Sequence, residues 1–154
     1  MVKDVGVRIQ RVRRASVSVG GDKVASIGKG MLVLLGVAVD DTEDDLEWLV
    51  KKTVQLRIFD DEAGVMNLDV SQAGGEILVV SQFTLLACTK RGNRPSYIKA
   101  AGEEVAVPLY EKFVKRVREV FGGRVVTGRF GADMQVELIN DGPVTIWIDS
   151  RNRE

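Results

Sequence analysis

The chain has no histidine and a single cysteine, Cys88, among its 154 residues. The missing histidine removes Ser-His-Asp and Cys-His catalysis outright. With one cysteine as well, ordinary structural and catalytic zinc sites are excluded, and so is an intrachain disulfide, which fits a reducing compartment. A net charge is also missing: Lys and Arg number 22, and Asp and Glu number 22. General affinity for nucleic acid is therefore not advertised, although a local basic patch remains open. There is no long hydrophobic run either. The longest, Met31 to Val39, is interrupted by Gly36 and is too short to span a bilayer. Met1-Val2-Lys3-Asp4 lacks the apolar stretch of a signal peptide. These absences predict a soluble cytoplasmic protein without a membrane partner. The length predicts a single domain, residues 1–154, and 45% apolar residues suffice for a core without staples. Chemistry is left to carboxylates, hydroxyls, Lys, Tyr, Cys88, backbone groups or the substrate itself.

What is present reads as strands, helix, strands, helix, strands. Val7 and Ile9, then Ala15, Val17 and Val19, alternate with polar residues, and an irregularity is expected near Arg11 to Arg14. Gly20-Gly21-Asp22 predicts a turn into a second strand, Val24 to Ile27. Met31 to Val39 reads as a central strand buried on both faces. Thr42 and Asp45 form a capping-box pair ahead of a helix with Leu46, Leu49, Val50 and Thr53 on one face. The acidic run Asp40 to Asp45 fits dipole complementarity better than a metal site. Arg57 to Asn67 reads as a short extended segment with an acidic turn at Gly64, without the spacing of a calcium loop. Gly102 to Phe121 is the longest helix, with Ala106, Leu109, Tyr110, Phe113, Val117 and Val120 at helical spacing; Pro108 is tolerable there only near the first turn. Met134 to Leu138 and Val144 to Ile148 alternate around Asn140-Asp141-Gly142 and predict a hairpin. The count is seven or eight strands and two main helices: an α/β (α+β-like) fold with a mixed, largely antiparallel, barrel-like sheet and both helices packed outside.

One stretch breaks its own pattern. Ile77-Leu78-Val79-Val80 reads as a fully buried strand running on to Leu86, yet Ser81, Gln82 and Thr84 place two hydroxyls and an amide in it. Buried polar groups need partners. By itself the segment is better read as polar groups knitting strands together than as a site. Thr89-Lys90-Arg91-Gly92-Asn93-Arg94-Pro95-Ser96 follows as a basic loop, either merely solvated or a phosphate contact.

Taken together, several segments resemble the D-aminoacyl-tRNA deacylases of the bacterial and eukaryotic type. They are Ala15-Ser16-Val17-Ser18-Val19, Leu34-Leu35-Gly36-Val37, Leu56-Arg57-Ile58-Phe59, Met66-Asn67, Ser81-Gln82-Phe83-Thr84-Leu85, Arg94-Pro95-Ser96-Tyr97, Thr127-Gly128-Arg129-Phe130-Gly131-Ala132 and Asn140-Asp141-Gly142-Pro143-Val144-Thr145. Their joint order extends from Arg11 to Asp149. Leu86, where the family commonly has an aromatic residue, and Cys88, where an acidic residue is common, depart from the pattern outside its two central motifs.

The resemblance implies a homodimer in which Gly142-Pro143 of one subunit enters the pocket of the other, with a cis peptide between the two residues. It implies Ser81, Gln82, Phe83 and Thr84 as the catalytic segment, and Gly142, Pro143 and Met134 as substrate contacts. Lys90, Arg91 and Arg94 are candidates for contacts to the 3′ acceptor end of aminoacyl-tRNA. No cofactor and no metal ion is called for. The ester of aminoacyl-tRNA is already labile, so backbone N–H groups near Phe83 and Thr84 acting as an oxyanion hole, at about 2.7–4 kcal/mol per donor, and the ribose 2′-hydroxyl could serve in place of a general base. Thr84 as a nucleophile is a sharper alternative that lacks an evident base. A Gly-Pro wall that excludes L side chains would let glycine pass. The competing reading is a noncatalytic nucleic-acid-binding or interaction module on the same fold.

Overall fold

The computed structural model describes residues 5–153. Its elements are β1 (Gly6–Val19), β2 (Asp22–Ile27), β3 (Gly30–Gly36), α1 (Glu43–Gln55), β4 (Phe59–Asp60), β5 (Met66–Leu68), β6 (Glu76–Ser81), a one-turn 3-10 helix (Phe83–Leu86), α2 (Glu103–Phe121), β7 (Val125–Thr127) and β8 (Met134–Asp149). The main sheet runs β2-β1-β3-β6-β7, and β8 also pairs with β1. The pairings of β1 with β2, β3 and β8 are antiparallel, and those of β6 with β3 and β7 are parallel. The mixed, barrel-like sheet and two helices expected from the sequence are therefore present.

The expected irregularity in β1 organises this sheet. Along one edge, residues 6–12 pair with β3 and residues 15–19 with β2; along the other, β8 follows the whole strand. The register with β8 shifts on both sides of Val12. A bulge adds a residue and bends its strand. Val7 and Ile9 thus join a core against the helices, whereas Val12, Ala15 and Val17 join a second core with Ala25 and Ile27. β3 and β6 lie between the two. Met31, Val33, Leu35, Ile77 and Val79 face the helices, and Leu32, Leu78 and Val80 face the other way. Covered on both faces, these parallel strands have no reason to alternate, which accounts for their unbroken apolar runs.

The helices follow their sequence signals. Thr42 and Asp45 cap α1 reciprocally, and Leu46, Leu49, Val50 and Thr53 are buried. Gly122, with φ 73°, ends α2 in the left-handed conformation. Pro108 lies in the second turn of α2, beyond the first turn where it was expected to be tolerable. It leaves the Glu104 carbonyl without its helical donor, and Glu104 is solvent-exposed there.

Three expectations are corrected. The strand from Met31 ends at Gly36, where the backbone carbonyl of Gln82 approaches to 3.2 Å of the position a Cβ would occupy. The strand from Ile77 ends at Ser81 instead of reaching Leu86: the Gln82 N–H takes the Leu35 carbonyl at 2.7 Å as the last sheet bond, and the chain then coils into the 3-10 turn. Asn140-Asp141-Gly142 makes no hairpin. β8 is one strand, antiparallel to β1 on both sides of the interruption, because the segment between Asn140 and Thr145 bulges out of the ladder.

Candidate functional site

A cavity of about 330 Å³ opens where the parallel strands β3 and β6 end. Leu35 and Val37 line it from the β3 side, and Ser81, Gln82 and Phe83 from the end of β6. The first turns of α2 supply Gly102, Glu103, Ala106 and Tyr110, and the segment after β7 supplies Phe130 and Gly131. Parallel strands force this arrangement: each must be followed by a crossover, so loops collect at their carboxyl ends.

The polar break at Ser81 is thus a wall of the cavity. Gln82 uses its side-chain amide to donate to the Thr84 hydroxyl. The turn itself is held by the N–H of Leu85 on the Gln82 carbonyl and that of Ala87 on the Thr84 carbonyl, both at 3.2 Å. No side chain caps its beginning, and the first N–H groups of any helical turn lack partners within that turn. Phe83 is 54% exposed and meets Tyr97 edge-to-face, with ring centroids 5.0 Å apart. Opposite, Tyr110 packs edge-on to Phe130 at 5.6 Å, and its hydroxyl donates to the Val79 carbonyl at 3.4 Å. Burial pushes the Tyr110 phenol above its ordinary value, so it stays a neutral donor.

Thr84 and Met134 do not line this cavity. Thr84 faces solvent beside it. Met134, at the start of β8, packs against the second core, its Sδ 2.6 Å from where a Cβ on Gly128 would stand.

Gly142 and Pro143 also lie elsewhere in the chain, on the bulge of β8. Their peptide is cis, and Gly142 has φ +127°. Asn140 closes the bulge: its Oδ1 accepts from the Val144 N–H at 3.0 Å and its Nδ2 donates to the Thr145 hydroxyl at 2.9 Å. Arg11 holds it from below. This buried side chain donates from Nε to the Asp141 carbonyl at 3.0 Å and from Nη1 to the Ile58 carbonyl at 2.7 Å, with Asp60 Oδ1 at 3.4 Å. The φ of Gly142 is one that L side chains rarely adopt, and a Cβ there would stand 2.9 Å from Arg11 Nη2, which would have to shift.

The basic loop forms a third grouping. Cys88 and Ser96 exchange backbone hydrogen bonds of 2.7 and 2.9 Å, which closes the loop between them. Lys90, Arg91 and Arg94 line a depression of about 300 Å³, joined by Lys99, which the sequence reading omitted. No described carboxylate lines it. The acidic run near Asp40 has structural partners instead: Asp45 caps Thr42, and Arg151 reaches Asp40, Asp41 and Asp45.

Sequence reasoning missed Tyr110, Phe130, Glu103 and Arg11 as parts of these groupings. Tyr110 was visible as a member of an apolar stripe, and Phe130 sat within a segment that carried the resemblance. For Glu103 there was no signal beyond its place in a helical first turn.

The family described as D-Tyr-tRNA(Tyr) deacylase matches residues 8–149. A D-aminoacyl-tRNA deacylase of Bacteroides thetaiotaomicron is 60% identical over 95% of this chain and 97% of that protein. One of Flavobacterium johnsoniae is 58% identical over 96% and 99%, respectively. Among solved structures, the c-Myc DNA Unwinding Element Binding Protein superposes with a TM-score of 0.88 at 43% identity, covering 93% of this chain and 97% of that one. A probable eukaryotic D-amino acid tRNA deacylase superposes with a TM-score of 0.82 at 20% identity, over 94% and 98%, and shares the fold.

Proposed function

The chain belongs to the D-Tyr-tRNA(Tyr) deacylase family and is a hydrolase of the aminoacyl-tRNA ester; from this we propose how a chain without histidine performs the reaction, and on which stereoisomer. The cavity beside Ser81–Phe83 carries the proposal. Its volume suits one nucleobase, and its aromatic side chains, Phe83, Tyr110 and Phe130, suit the terminal adenine. With the base seated there, the 3′ ester lies at the mouth, beside the start of the 3-10 turn. The N–H groups of Phe83 and Thr84 then stabilise the oxyanion as water adds to the ester carbonyl. The ribose 2′-hydroxyl orients or activates that water. Ser81 and Gln82 hold the turn, and Thr84 borders the reacting centre through its backbone. Its hydroxyl is already the acceptor of the Gln82 amide, and among the described residues no base is hydrogen-bonded to it.

Chirality requires a second fixed point on the substrate. Gly142 and Pro143 lie outside the cavity of their own chain, which supports a homodimer in which each subunit's bulge closes its partner's cavity. Carbonyls there would take the α-ammonium group. With ammonium and ester both fixed, an L side chain strikes the bulge and a D side chain points outward. Exclusion by clash separates substrates that attraction alone would not. Glycine, having no side chain, passes the filter, so glycyl-tRNA is also hydrolysed. Lys90, Arg91, Arg94 and Lys99 receive phosphates of the acceptor end, and Met134 supports the site from the second core. A substrate that belongs to translation supports a cytoplasmic location.

The test is release of amino acid from matched D- and L-tyrosyl-tRNA, with and without EDTA. Rapid loss of the D ester alone, unaffected by EDTA, is expected. Equal loss of both would remove the chiral wall. The similar structure of the c-Myc DNA Unwinding Element Binding Protein favours a second reading, a nucleic-acid-binding module; binding of tRNA with no turnover of either ester would establish it.

A further inference from the structure

Of the described residues that line the cavity, Glu103 alone is charged at neutral pH. It sits in the first turn of α2 beside Glu104, and the two carboxylates go separate ways. Glu104 folds back over the helix start, its Oε1 2.8 Å from where a Cβ on Gly102 would stand. Glu103, a solvent-exposed residue at the cavity's edge, extends toward Gly131, its Oε1 3.7 Å from the corresponding point there. Gly131 has φ +76°, a conformation that keeps a side chain out of that space. Among the described residues, no cation or hydrogen-bond donor engages the Glu103 carboxylate. Helix-dipole complementarity explains why an acid is welcome in this turn, but Glu104 also meets that need and does not line the cavity.

We infer that Glu103 reads the base in the cavity by accepting a hydrogen bond from the exocyclic amino group of the terminal adenine. This rests on the reading of the cavity as the terminal adenosine site. An ionised carboxylate offers acceptors only. Adenine presents an amino donor at C6, whereas hypoxanthine and guanine present an oxygen there and carry their nearest donor on N1, so a carboxylate placed at the C6 substituent would meet that oxygen lone pair to lone pair. Glu103 is therefore a specificity-determining residue: it favours a 6-amino purine and opposes a 6-oxo purine. An uncharged, largely apolar cavity would accept either by stacking.

The experiment compares D-tyrosyl-tRNA ending in adenosine with the same tRNA ending in inosine, on wild type, Glu103→Gln, Glu103→Asp and Glu104→Gln. Free adenosine and inosine serve as competitors in parallel. For wild type, inosine is expected to raise KM by about tenfold or more, the size of a good base contact, with kcat little changed. Glutamine offers a donor as well as acceptors, so Glu103→Gln should bring the two KM values together. Glu103→Asp should retain part of the preference, and Glu104→Gln all of it. A wild-type preference that survives intact in Glu103→Gln overturns the role of Glu103 and leaves the cavity reading standing. So does equal use of both termini while adenosine still competes. If neither nucleoside competes and the termini are used equally, the cavity reading falls, and the inference with it.

Discussion

Arg11 and Asp141 are joined by a hydrogen bond of 3.0 Å from the guanidinium Nε to the backbone carbonyl, across the two strands that carry the bulges. The same guanidinium binds the Ile58 carbonyl, so one buried cation ties the Gly142-Pro143 bulge to the segment that precedes β4. Charge-assisted bonds of this kind are worth about 1.5–3 kcal/mol each, and a lost donor leaves its acceptor unpaired. Arg11→Met should lower the unfolding free energy by about 2–4 kcal/mol in urea titrations. Arg11→Lys keeps the charge but loses the planar fork, and should still release the bulge. With either variant, discrimination between D- and L-tyrosyl-tRNA should narrow at temperatures where the protein remains folded. Unchanged discrimination would separate the bulge from chiral selection.

Thr84→Ala removes a hydroxyl that the Gln82 amide engages. If only the backbone N–H of Thr84 touches the oxyanion, kcat falls modestly, far short of the roughly millionfold loss that follows removal of a true nucleophile. Rapid-quench experiments with wild type should find no acyl-protein. A trapped threonyl ester would replace the water mechanism by a covalent one.

Glycyl-tRNA should be hydrolysed, whereas L-alanyl-tRNA should not, because one L-oriented methyl group suffices to strike the wall. D-alanyl-tRNA should be accepted. Competing turnover of the three esters by the same preparation gives the order. Complete protection of glycyl-tRNA would mean that the filter reads an attractive contact to a side chain instead of a clash.

Binding of tRNA should weaken with salt, because each phosphate neutralised by the basic depression releases condensed counterions. For a single strand the log–log slope is about 0.7 per phosphate contact. Alanine at Lys90, Arg91, Arg94 or Lys99 should each flatten the slope by about that amount. A variant that weakens binding without altering the slope would not be making a phosphate contact.

Burial pushes the Asp41 carboxyl up to about 6, against the Ala38 and Val5 N–H groups and the Arg151 charge, all of which lower it. Its folded value lies above its unfolded one, so Asp41 holds its proton more tightly in the folded protein. Its contribution to stability is full below about pH 4 and is lost as pH rises through 6. Asp45 acts in the opposite sense: burial raises it, but Thr42 and Arg151 outweigh that and hold it below the ordinary carboxylate range. Asp41→Asn should therefore steepen the gain in stability between about pH 4 and 6, followed by urea unfolding at stepped pH. Parallel profiles for variant and wild type would contradict the raised value.

Local signals were legible where one segment decides its own structure. The Thr42–Asp45 box, the turn at Gly20-Gly21 and the irregularity around Arg11 could each be read from a few neighbouring residues. The errors lie where a distant strand decides. Phe83-Thr84-Leu85-Leu86 continues an apolar pattern, and the chain leaves the sheet where β3 ends: beyond Leu35 the Val37 carbonyl is taken by the Ala101 N–H. Asp141-Gly142 is a fair turn signal; it becomes a bulge because β1 is long enough to pair with both flanks. Tyr110 and Phe130 follow the spacing of core residues, and nothing local distinguishes the side of a core from the wall of a cavity. The segment from Ser81 was legible as a candidate site only in company with distant motifs. The cation that holds the Gly142-Pro143 bulge was visible as a break in alternation, without its partner.

β1 is the strand on which β2, β3 and β8 all depend, yet during synthesis it emerges first among the described strands and β8 last. Until β8 is made, one whole edge of β1 carries unpaired N–H and C=O groups. Pairing at such sequence separation is slow, and an open edge is a template for the wrong neighbour. The second core cannot be sealed in that interval, because Met134 and Leu138 of β8 pack against it. A nascent chain of this protein therefore waits, with its first strand half satisfied, for the segment that also carries the Gly142-Pro143 bulge. Completion of the fold and delivery of that bulge are the same event.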